Sequence, residues 1–66
     1  MNSIEHTTAG RVPNLPTKSA IFLVKSLTDS DALGFALAME EAFSGRSAVM
    51  DAIAKRRTEI RKAGAA

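Results

Sequence analysis

The stretch Ala-Leu-Gly-Phe-Ala-Leu-Ala-Met-Glu-Glu-Ala-Phe, residues 32–43, constrains the fold more than any other, because helix-specific signals bound it at both ends. Before it stand Thr28, Asp29, Ser30 and Asp31. Their short polar side chains suit the exposed N–H groups of a first helical turn, and acids there suit the positive end of the helix dipole. After it stand Ser44 and Gly45, and glycine takes the left-handed conformation that ends a helix without steric cost. A helix starting at 29–31 and running to Phe43 is predicted. At about 100° per residue, Phe35, Met39 and Ala42 fall on one stripe, edged by Ala38 and Phe43. Leu33 and Leu37 fall nearly opposite, flanked by Glu40 and Glu41. A helix with two apolar faces must be covered from both sides. One cover is expected from the chain's own flanking segments and the other from a second protein chain, which makes Leu33 and Leu37 candidate partner-binding residues. Gly34 and Ala38 lie side by side near an edge of this helix, small enough to admit a neighbouring backbone.

A further helix is predicted from 48 to about 62, with Ser47 as its N-cap, Arg61 and Lys62 in the last turn and Gly64 beyond. Val49, Ile53 and Ile60 form its seam, edged by Ala52 and Ala63. Arg56 falls inside that seam. Either its stem packs along the edge while the guanidinium reaches water, or it meets a carboxylate, with Glu40 or Glu41 the nearest. It joins the candidate partner contacts.

Residues 18–27, Lys-Ser-Ala-Ile-Phe-Leu-Val-Lys-Ser-Leu, satisfy two periods. Their β-rich composition favours a strand. As a strand, however, neither face is polar and Lys25 interrupts the more apolar one. As a helix, Ala20, Leu23, Val24 and Leu27 follow the i, i+3, i+4, i+7 pattern, with Lys18, Ser19, Lys25 and Ser26 on the far side. A helix near 17–28 is the expectation. Phe22 alone is misplaced on it, and is the fourth candidate for contact with another chain.

Residues 1–16 read as a flexible leader. Thr7, Thr8, Gly10, Pro13, Asn14 and Pro16 punctuate it too often for a helix, and each residue before a proline avoids the α region. Val12 and Leu15 could pin its end to the domain that follows, at 17–64.

With 66 residues the chain makes one domain at most. The fourteen Val, Ile, Leu, Met and Phe side chains between 17 and 63 make a small core, which favours self-association or a protein partner over a lone monomer. There are no cysteines, hence neither a disulfide framework nor a thiolate metal site. The first residues show no basic and apolar signal-peptide pattern, and the run Ile21 to Val24 is too short to cross a bilayer. A cytoplasmic protein without a membrane role is expected.

Catalytic chemistry is not predicted. His6 lies in the leader with no second ligand type around it, and catalysis needs groups held by a rigid shell. Asp29 and Asp31 lack the glycine loop and distal glutamate of a calcium site. Glu40 and Glu41 are adjacent, which suits two flanks of a solvated face. No glycine-rich phosphate loop, nucleophile elbow or metal-spaced cluster occurs. Neither a cofactor, a metal nor a small-molecule substrate is expected.

Net charge is +2, and the basic residues concentrate at Lys55, Arg56, Arg57, Arg61 and Lys62. Lys55 and Lys62 lie opposite the Ile53/Ile60 seam, while Arg57 and Arg61 lie beside it. The charges wrap the helix rather than forming the stripe that tracks a phosphate backbone. Without tryptophan or tyrosine, the chain also offers little for base stacking.

From Leu27 to about Ile60 the chain resembles ribbon-helix-helix repressors and antitoxins. Leu27-Thr-Asp echoes the end of that family's strand and its cap. Phe35 and Met39 echo its first helix, Gly-Arg-Ser (45–47) its turn, and Ala48-Val49-Met50 the start of its second. The resemblance implies a dimeric DNA-binding repressor, with Lys55, Arg57, Arg61 and Lys62 as its nucleic-acid contacts. On this alignment Phe22, Val24 and Ser26 would face DNA and Lys25 would point into the core, the reverse of what base readout needs.

The sequence thus predicts an all-α, oligomeric architecture: a helical hairpin or three-helix domain behind a flexible leader. Its expected role is that of a non-enzymatic assembly subunit, adaptor or inhibitor acting on another protein chain or on itself. DNA binding stands second.

Overall fold

The structure, a computed structural model, describes residues 3–65. Among them the chain is all-helical, without a strand. Helix α1 spans Ser3–Ala9 and leads through a 3₁₀ turn, Val12–Asn14, into α2, Thr17–Ser26. Helix α3 spans Ser30–Ala42 and α4 spans Ser47–Ala65. No helix among the described residues is long and apolar enough to cross a membrane.

The local signals act as elementary chemistry requires. Asp29 caps α3, its Oδ1 accepting the Asp31 N–H at 2.9 Å. Gly45 turns the chain at φ +61°, and its N–H returns to the Glu40 carbonyl at 2.6 Å, closing the end of α3. Helix α2 follows its apolar period rather than its β-rich composition, burying Ala20 and Val24. Its first turn begins on the Pro16 carbonyl, to which the Ala20 N–H donates at 2.8 Å. Helix α4 starts at Ser47 and runs through Gly64, one turn further than its basic residues predicted.

Helices α3 and α4 form an antiparallel hairpin: Glu40, late in α3, meets Arg46 before α4, while Gly34, early in α3, faces Arg57 in the middle of α4. Helix α2 lies along α4 in the same direction. Arg46 holds its start through the Leu15 carbonyl at 2.6 Å, and the Arg56 Nε holds its end through the Leu27 carbonyl at 2.8 Å. Helix α1 and the 3₁₀ turn run along α3, from Glu5 beside Thr28 to Pro13 beside Ser44. The resulting body measures 34 × 23 × 18 Å.

Two expectations change here. Residues 3–14 do not stand apart as a leader: Ala9 and Val12 are fully buried in the core with Ala20, Val24, Leu33, Ala36, Val49 and Ile53. Pro13 and Gly10, read as breakers, are accommodated because proline suits the start of a short 3₁₀ turn, whose first N–H groups need no internal partner. Residues 1 and 2, also assigned to the leader, lie outside the described residues. The second change concerns α3. Its buried arc is the strip between the two stripes, Ala32, Ala36 and Glu40, together with Leu33 from the edge of one of them. Leu33 is buried inside the chain's own core and Leu37 is half-buried, whereas Phe35 on the opposite stripe is 41% exposed. Small alanines let α3 approach its neighbours closely, and the larger residues flank that contact.

Candidate functional site

Of the residues predicted to touch a partner, the structure leaves Phe22 in the place where it could do so. On α2 the buried edge is Ala20 and Val24, and Ile21 and Leu23 are half-buried beside it. Phe22 points the other way and is 77% exposed. Lys18, Ser19, Lys25 and Ser26 surround it on the solvent face.

Beside Phe22, α2 and α4 leave an open groove of about 310 Å³. Its apolar part is Ile21, Ala48 and Ala52, and its rim carries Lys25, Asp51, Lys55, Arg56 and Glu59. The groove exists because α4 presents two alanines, a turn apart, toward α2 at the point where longer side chains would have closed the gap. The volume falls in the range, roughly 300–1,000 Å³, in which side chains or small ligands are held.

Arg56 forms part of the groove wall but is already engaged. Besides the Leu27 carbonyl it pairs with Glu59, Nη1 to Oε1 at 3.3 Å, so its partner is neither Glu40 nor Glu41. Leu33 is corrected as a surface residue, since the core covers it completely; Leu37 packs against that core as well. The four basic residues of the DNA-binding alternative do not converge. Lys55 and Lys62 are exposed on one side of α4 and Arg61 is exposed on another. Arg57 is half-buried, its guanidinium carbon 3.8 Å from where a Cβ on Gly34 would stand.

Sequence reasoning missed the strongest polar assembly in the molecule. Glu40, expected on a solvated face, is 0% exposed. Arg46 grips it with two prongs, Nε to Oε2 at 2.9 Å and Nη2 to Oε1 at 3.1 Å, and the Arg46 backbone N–H adds a third contact at 2.9 Å. The same guanidinium donates to the carbonyls of Val12 at 3.0 Å and Leu15 at 2.6 Å. These bonds hold the Glu40 carboxyl below its ordinary range, against the opposing pull of burial, and Glu40 in turn holds Arg46 above its own. The available signal was the motif Glu-Glu-Ala-Phe-Ser-Gly-Arg: the glycine turn folds the arginine back onto the last turn of the helix it has just left.

A second carboxylate was hidden in the presumed leader. Glu5 accepts from the backbone N–H of Thr28 at 2.9 Å, the N–H of Asp29 at 2.7 Å and the Thr28 hydroxyl at 2.5 Å. It serves the N-terminus of α3 from another helix, and the Thr28 hydroxyl leads in pulling its carboxyl below the ordinary range. His6 lies over Phe35, ring centres 6.0 Å apart. Both assemblies join helices, and neither lines the α2–α4 groove.

No protein family, curated protein or solved structure matches this chain.

Proposed function

We propose that the chain is a non-enzymatic protein-interaction module that docks through the outward face of α2 and the adjoining α2–α4 groove. The observation that carries this reading is the placement of Phe22: a large aromatic side chain at the centre of a helix face, 77% exposed, next to a groove with an apolar floor and a charged rim. Aromatic anchors beside a recess, ringed by polar groups, are the usual energetic centre of a protein interface. The charged side chains buried in the core, Glu40 and the inner part of Arg46, serve the fold, and Glu5, Asp29 and Arg56 cap helices or join them. The DNA-binding alternative draws no support from α2: the segment that would supply a paired strand is helical, and the basic residues of α4 point in several directions.

The test is a photo-crosslinking phenylalanine analogue placed at position 22 in cells, with the same analogue at exposed Thr58 as control. A discrete crosslinked protein from position 22 alone is expected. Equal yields from both positions, or crosslinks to nucleic acid, would contradict the reading.

A further inference from the structure

The groove and Phe22 lie side by side on one helix pair, so the molecule carries both a protruding side chain and a recess able to receive one. We propose that the occupant of the groove is Phe22 of a second copy of this chain. This inference rests on the reading of the α2 face as a docking surface, and names the partner.

Three features favour a second copy. A projection next to a recess on the same face can satisfy itself twice across a two-fold axis: Phe22 of each copy enters the groove of the other, against Ile21, Ala48 and Ala52. The rim is also self-complementary in charge. Among the described residues, ion pairs join Arg46 to Glu40 at 2.9 Å and Arg56 to Glu59 at 3.3 Å, and Lys25, Lys55 and Asp51 on the rim are in neither pair. Antiparallel apposition sets the lysines of one copy against Asp51 of the other, and symmetry repeats the match; such rim pairs fix orientation more than they add affinity. The third feature is selectivity. The other exposed large apolar residues, Ile4 at 78%, Phe43 at 72% and Phe35 at 41%, belong to α1 and to α3 with its C-cap, whereas Phe22 shares α2 with the groove residues Ile21 and Lys25.

The experiment is sedimentation equilibrium on the purified full chain, from micromolar to millimolar, for the wild type, Phe22→Ser, Ala48→Arg and an equimolar mixture of the two variants. Both positions are exposed, so each variant should keep the wild-type circular dichroism. The wild type is expected to dimerise reversibly, and each variant to weaken dimerisation about 30-fold or more, as loss of a central anchor does. The mixture is expected to associate more strongly than either variant alone, because the Ala48→Arg copy still has its Phe22 and the Phe22→Ser copy still has its groove. A wild type that stays monomeric throughout, a dimer indifferent to both variants, or a mixture no stronger than its components would overturn the proposal. A monomeric wild type that nevertheless crosslinks a different protein from position 22 in cells would remove the second copy while leaving the docking face standing.

Discussion

Arg46 and Glu40 are six residues apart, yet their side chains meet in a two-pronged ion pair, Nε to Oε2 at 2.9 Å and Nη2 to Oε1 at 3.1 Å. Because the arginine also binds the Val12 and Leu15 carbonyls, one guanidinium ties the turn before α4 to the end of α3 and to the approach of α2. Arg46→Ala would leave a buried carboxylate without its cation and the Leu15 carbonyl without its guanidinium donor, while the Val12 carbonyl would keep only the Leu15 N–H. A loss of about 3 kcal/mol is expected, read from urea unfolding at neutral pH. A variant within 0.5 kcal/mol of wild type, on the order of an ordinary surface change, would show that the pair is not what holds these segments.

The acid limb of stability follows from Glu5 and Glu40. Both carboxyls sit below the ordinary glutamate value of 4.5 in the folded chain. A depressed folded pKa means that the ionised form is favoured by folding. The stabilisation is therefore complete above the unfolded value and is lost as pH falls below about 4.5 through the folded pKa. Melting temperature should hold steady above that point and drop beneath it. Glu5→Gln should lower it at pH 7, and the gap between the two proteins should close as pH falls through the folded pKa of Glu5 and its carboxyl takes up a proton. Parallel curves down to pH 2 would mean that Glu5 contributes nothing through its charge.

Gly34 and Gly45 should answer oppositely to alanine. At Gly34, inside α3, a Cβ would meet the Arg57 guanidinium carbon at 3.8 Å, ordinary contact, so Gly34→Ala is expected to stabilise by about 0.5–1 kcal/mol. At Gly45 a Cβ would meet nothing within 4 Å, but φ is +61°, and Gly45→Ala is expected to destabilise by about 1–2 kcal/mol. Thermal melts of the two variants decide both signs.

Deleting residues 1–11 should cost about 2 kcal/mol, or roughly 10 °C in melting temperature for a chain of this size. It removes buried Ala9 and the Glu5 contacts at the start of α3. An unchanged melt would return the segment to the role of a leader.

The last case shows where the sequence was legible and where it was not. Asp29 and Gly45 announce their roles because capping and left-handed turns are decided within a few residues. The helical state of α2 was legible because the i, i+3, i+4, i+7 spacing of Ala20, Leu23, Val24 and Leu27 outweighed the β preference of Ile21, Phe22 and Val24. The Val49, Ile53 and Ile60 seam of α4 was equally plain. The role of α1 was not, since a short helix of Thr and Glu residues is stable here through tertiary contacts, Glu5 with Thr28 and Ala9 with the core, that lie more than twenty residues away or are made by a methyl group. On α3, weighting large side chains concealed the Ala32, Ala36 and Glu40 strip, and a buried glutamate cannot be told from a solvated one until its arginine is located. Of the proposed site, Phe22 stood out as the residue the helical period could not place. The groove beside it depends on how α2 sits against Ala48 and Ala52, which no local pattern reports.

The docking account is tested most directly by fluorine NMR on protein carrying fluorinated phenylalanine at all three of its phenylalanines, Phe22, Phe35 and Phe43. Spectra of dilute protein are compared with concentrated protein and with protein in cell extract, each resonance assigned by substitution. The account predicts that the Phe22 signal shifts or broadens in at least one of the two while Phe43, similarly exposed, keeps its dilute position. A Phe22 signal unchanged in both, or a response confined to Phe43, would contradict it.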